Sequence, residues 1–227
     1  MTQENTQANA VDHSILGSLD PDIVGRIAEK SDLFGSAATK LGVLATTPVL
    51  LAAVSTQAFG QGLPKQIVDI LNFALTLEYL EDGFYKAALS QPGLIPQQFI
   101  EVFSTISRHE SQHVSTLQGA LGSAAVAPPK LDPTAGGKYP DILSNFRTFA
   151  LVSQTLEDVG VAAYKGQAPK LTGGGDLLTT ALRIHSVEAR HAAEVRRIRG
   201  VKSWTGAFDK PMSMAQVLSA ARPFIVA

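Results

Sequence analysis

Four glutamates, Glu78, Glu110, Glu157 and Glu188, each interrupt a run of apolar residues that recur with helical spacing. Ile67, Leu71, Ala74, Glu78 and Tyr85 share one face, and Phe99, Phe103, Ile106, Glu110, His113 and Leu117 share another. Phe146, Ala150, Ser153, Glu157, Gly160 and Tyr164 form a third stripe, and Leu177, Ala181, Ile184, Glu188, His191 and Val195 a fourth. Stripes of this period face a core. The pattern predicts four amphipathic helices that each turn a carboxylate inward. A bare buried carboxylate costs several kcal/mol or takes up a proton. Four of them in one interior call for cations.

Two of these glutamates belong to Glu-x-x-His motifs, Glu110/His113 and Glu188/His191. Residues i and i+3 lie on one helix face, so each motif aims a carboxylate and an imidazole the same way. Each motif follows a lone glutamate, Glu78 or Glu157, by nearly the same interval. The chain therefore carries one three-residue half-site twice, and the expected metal ligands are Glu78, Glu110, His113, Glu157, Glu188 and His191. Turn positions support the pairing. Glu78 and Glu110 are equidistant from Leu94, within the breaker-rich run Gln91–Pro96, and Glu157 and Glu188 are equidistant from a point beside Gly173–Gly175. Pro and Gly at that density end helices, so each pair should fold as a hairpin with its carboxylates level.

Helices are expected over roughly 64–90, 96–121, 141–168 and 175–199, with a short fifth over 214–221 announced by a capping box at Ser213 and Gln216. The segment 122–140 holds Pro128, Pro129, Pro133, Gly136, Gly137 and Pro140, and is read as irregular. Fully extended at about 3.3 Å per residue it could reach about 60 Å, past the end of a helix of this length. The expectation is an all-α four-helix bundle of two antiparallel hairpins joined by one long crossover, the ferritin-like arrangement. Residues 1–60 would form an N-terminal extension, 61–200 the bundle, and 201–227 a C-terminal extension. A hydrophobic share of 45% with 17% charged residues suffices for one sizeable core.

A net charge of −1 gives no electrostatic case for a nucleic acid partner. The basic cluster Arg190, Arg196, Arg197 and Arg199 is read as complementing a helix C-terminus. With no cysteine, any metal must be held by oxygen and imidazole, a donor set suited to iron or manganese.

The run Leu71–Glu81 resembles the first helix of ferritin-like proteins of the desiccation-related type. Ser107–His113 is similar to their second-helix motif and Val187–His191 to their fourth, so the resemblance spans roughly 60–225. It implies the ferritin-like fold and a di-iron or di-manganese site; for this group it implies an association with stress rather than a settled reaction.

Four glutamates balance two divalent ions with neutral histidines. Six ligands over two ions leave room for a small oxidant, so the expected chemistry is redox, with peroxide, dioxygen or ferrous iron. Two other functions stay open: iron storage, and a structural stress-protection role in which metal only staples the bundle. A homo-oligomer is also open. Tyr85 and Tyr164 each fall two turns beyond a lone glutamate, either as core tyrosines with a polar partner or as groups that hydrogen-bond a ligand or share in redox chemistry. His109, His185, Glu81 and Asp82 fall beside the stripes and are expected at the surface or behind the ligands.

The apolar run 33–60 admits three readings. It can pack as a helix on the bundle, act as an export signal, or anchor the chain in a membrane. Similar proteins often carry a twin-arginine signal before the first bundle helix, but Lys30-Ser31 stands where paired arginines would be needed. Membrane association is not expected, and the location is left open between cytoplasm and periplasm.

Overall fold

A computed structural model describes residues 62–226 of the chain; the readings of 1–60 lie outside them. Among the described residues there are five α-helices: α1 (Lys65–Leu89), α2 (Gln97–Leu121), α3 (Phe146–Gln167), α4 (Asp176–Ile198) and α5 (Met214–Ala221). Among the described residues there is no strand, only an isolated bridge between Leu131 and Ile225. No helix among them is long and apolar enough to cross a membrane.

Breakers set the hairpin ends. Gly93, with φ +78°, turns the chain between α1 and α2, while Leu94 and Ile95 bury themselves beneath the turn. α2 stops at Gly122, in positive φ, and Gly175 opens α4 the same way. α3 starts later than the pattern suggests, at Phe146 rather than near 141. The backbone of Asp141–Asn145 closes as a turn, and the Asn145 side chain accepts from the Arg147 N–H as an N-cap. α5 has the capping box expected at Ser213 and Gln216.

Close packing pairs α1 with α2 and α3 with α4, giving the helical bundle expected of the sequence. The interior divides into two apolar clusters at different heights. One gathers Phe84, Tyr85, Phe103, Phe149 and Val195 with the C-terminal Val217 and Phe224. The other gathers Ile67, Leu71, Leu75, Leu117, Tyr164 and Ile184. On α2 and α4 the buried glutamate falls between residues of one cluster and residues of the other. The crossover is more ordered than its composition suggests. Asn72 holds Ala124 and Val126 through its side-chain amide, and Tyr79 donates to the Val126 carbonyl at 3.2 Å. Asp132 N–H bonds the Phe224 carbonyl, and Val226 N–H the Lys130 carbonyl, so the crossover and the C-terminal segment hold each other.

Candidate metal centre

Each of the four helices delivers its glutamate to mid-bundle with no exposure at all: Glu78, Glu110, Glu157 and Glu188 are each 0% exposed. The Glu-x-x-His spacing brings in His113 and His191, both buried. The structure brings all six predicted residues together. His113 Nδ1 lies 3.2 Å from Glu78 Oε2, 3.1 Å from Glu110 Oε2 and 3.1 Å from Glu188 Oε1. His191 Nδ1 lies 2.9 Å from Glu110 Oε1 and 3.3 Å from Glu157 Oε2.

These atoms form two four-residue groups, Glu78/Glu110/His113/Glu188 and Glu110/Glu157/Glu188/His191, with donor atoms all within 4.8 Å of one another. Glu110 and Glu188 belong to both. The two halves read from the sequence are thus not separate boxes; they interlock through the two motif glutamates.

Orientation matters as much as distance. Glu110 Oε1, Glu157 Oε2, both Glu188 oxygens and His191 Nδ1 are buried without a hydrogen-bond partner among the described residues. His191 Nδ1 and Glu110 Oε1 approach to 2.9 Å yet are not aligned to bond. Buried polar atoms ordinarily find partners. Near neighbours left without hydrogen bonds to one another are a donor set that could hold a cation. The donor set, oxygen and imidazole only, fits the same conclusion.

Residues 66–201, more than half of the chain, match the family model described as a ferritin-like domain. This chain belongs to the ferritin-like family. No curated protein matches it. In this ferritin-like domain one oxygen of each lone glutamate, Glu78 and Glu157, is anchored by tyrosine. Tyr164 on α3 donates its hydroxyl to Glu78 Oε1 at 2.5 Å, and Tyr85 on α1 donates to Glu157 Oε1. Ser153 Oγ lies 2.7 Å from the Tyr85 hydroxyl. Each tyrosine thus reaches across to the opposite hairpin's glutamate.

Without cations the site must neutralise itself with protons. Burial works against charge on His113, but Glu78, Glu110 and Glu188 around it prevail and hold its pKa far above the usual imidazole value. Burial opposes the charge on His191 as well, and its contacts with Glu110 and Glu157 still raise it to about 10. Burial lifts the Glu110 carboxyl to about 7, although both histidines pull it down. Glu188 goes well above the carboxylate range, through burial first and then repulsion from the other glutamates. Burial is the largest influence on Glu78 and penalises its charge, but the charge of His113 together with hydrogen bonds from His113, Tyr164 and Glu110 leaves it lowered. Burial and the adjoining Glu157 raise the Tyr85 hydroxyl, and burial and Glu78 the Tyr164 hydroxyl, so both stay protonated as donors.

The residues expected beside the stripes divide. His109 is half-buried, and its Nδ1 lies 2.9 Å from His191 Nε2, so it backs His191 from behind. Asp82 pairs with Lys86 and accepts from Ser111 at the bundle surface. His185 is half-buried and joins neither group. Glu81 is the surprise: it is 3% exposed, and burial with four carboxylates nearby pushes it well above its usual range. A cavity of about 20 Å³, lined by Ile70, Ala74, Leu117, Tyr164 and Ala181 among others, adjoins Tyr164 on the other side. The arginines near the end of α4 do more than face a helix terminus: Arg196 pairs with Asp158, and Arg199 donates to Gln154, both on α3.

Proposed function

We propose that this ferritin-like chain is a di-metal carboxylate protein that holds two iron or manganese ions and uses them in redox chemistry with peroxide, dioxygen or ferrous iron, in stress defence. The observation that carries the reading is the set of buried, unpartnered donor atoms shared between two four-residue groups. Glu78 and His113 would hold one ion, Glu157 and His191 the other, and Glu110 and Glu188 would serve both. Such a pair of ions supplies a site that gains and loses electrons while its negative ligands keep the charge balanced.

The chain's own residues do the rest. Tyr164 and Tyr85 each occupy one oxygen of a lone glutamate, leaving the other oxygen on the side of the histidine, Glu78 Oε2 by His113 and Glu157 Oε2 by His191. His109 fixes the orientation of the His191 ring, as partners of ligating histidines do. The two apolar clusters exclude water above and below, which keeps charge interactions strong. The cavity beside Tyr164 has room for about one water-sized molecule and an apolar wall, a fit for a small oxidant. A stapling role without turnover has one observation in its favour: each donor group draws from both hairpins.

Elemental analysis and turnover together test this. The purified protein is expected to carry two iron or manganese ions per chain, and the double variant Glu110→Ala/His113→Ala neither. Full occupancy in the double variant would refute the site. Loaded wild type that consumes neither peroxide nor dioxygen nor ferrous iron would leave stapling as the function.

A further inference from the structure

The two hairpins repeat one another at the centre: Glu78 matches Glu157, and Tyr85 matches Tyr164. One turn beyond each lone glutamate the repeat fails. α1 has Glu81 there, and α3 has Gly160. The mismatch is compensating. A β-carbon on residue 160 would sit 2.9 Å from Glu188 Oε2 and 3.3 Å from Glu81 Oε1, too close for the first and tight for the second. Glycine inside a helix is destabilising relative to alanine, yet here it clears space beside two carboxylates.

Glu81 is as deeply placed as the residues it joins, at 3% exposed. The charged groups bearing on it are the carboxylates of Glu188, Glu157, Glu110 and Glu78, and no cationic side chain among the described residues pairs with it. Glu188 faces His113 with Oε1, whereas its Oε2, buried and unpartnered, is the atom nearest the Gly160 face. Two oxygens from different hairpins thus flank the place a β-carbon on residue 160 would take, and Glu81 adjoins the two four-residue groups without belonging to either. A small cavity of about 20 Å³ borders it, lined by Leu80, Glu81, Thr155, Val159, Gly160 and Phe224.

We propose that Glu81 is a seventh donor to the metal pair, coordinating beside Glu188, and that Gly160 is glycine to admit it. The proposal rests on the di-metal reading above. It makes the centre asymmetric, with five carboxylates instead of four, so that total ligand charge exceeds what two divalent ions balance. The pair is then biased toward ions of higher charge.

Cobalt(II) is a suitable probe, because its visible bands weaken as donors are added. Metal-free full-length protein is titrated with cobalt(II) by calorimetry and absorption, for wild type, Glu81→Gln and Gly160→Ala. Wild type should take up two ions. Glu81→Gln should also take up two, one of them about tenfold or more weaker, with stronger bands reporting a lost donor. Gly160→Ala keeps the carboxylate but crowds it, and should change the spectrum the same way, which preserves the test if the glutamine variant does not fold. An unchanged isotherm and spectrum in both variants would overturn the proposal. So would a third ion in wild type that Glu81→Gln loses, since that assigns Glu81 to a separate position. Wild type that binds no cobalt would instead defeat the di-metal reading itself.

Discussion

At the residue scale, the six central side chains were legible because helical period and Glu-x-x-His spacing both constrain them. The tyrosines were legible by position only; their partners are contacts between hairpins, which no local pattern encodes. Glu81 escaped because it borders its stripe, where solvent is the ordinary expectation, and only the packing of α3 against it reveals otherwise. The one sequence signal was Gly160 at the matching place in the second hairpin. His109 was read as lying at the surface or behind the ligands, and its ring does back His191. The tyrosine contacts carry a prediction. Tyr164→Phe keeps the ring but leaves Glu78 Oε1 without its donor. Metal affinity by calorimetry should fall about 10–100-fold while the helical content measured by circular dichroism stays the same.

At the scale of elements, the four long helices follow directly from apolar period and breaker position. Their ends follow less well, because capping is settled by single side chains. Asn145 illustrates this: a helix continuous from 141 would forgo its cap, and the chain instead turns at Asp141 and starts α3 at Phe146. Asn145→Ala should cost about 1 kcal/mol in chemical denaturation, with metal stoichiometry unaltered because the cap lies far along α3 from Glu157. The packing of the crossover was not legible. Its backbone bonds go to Phe224 and Val226, far away in sequence, and proline-rich composition describes only what such a segment is not.

At the scale of the whole molecule, the two-hairpin bundle was readable because breaker positions and one long connection leave few alternatives. Its behaviour depends on what neutralises the centre. In the metal-free chain, Glu110 and Glu188 have raised pKa values, Glu110 to about 7, and His191 is raised to about 10. A group raised on folding favours the folded state most below its unfolded pKa and loses that contribution as pH climbs through the folded one. Glu110 acts from about 4.5 to 7 and His191 from about 6.5 to 10. Glu78, which is lowered, acts oppositely but only on the acid side. Metal-free protein should therefore lose stability from about pH 5 to pH 10. Cations require deprotonated ligands, so loaded protein should reverse the trend. At free metal about a hundred times Kd, each site adds about 2.7 kcal/mol. Thermal unfolding with and without a chelator across that range checks both slopes; parallel curves would contradict the prediction.

Glu110 and Glu188 stand on α2 and α4, one from each hairpin, and both belong to both donor groups. On the di-metal reading, neither position would fill without recruiting the same two side chains its neighbour needs. On that reading, a first ion would draw both side chains into place for a second, so loading would proceed as one linked event, not two independent ones.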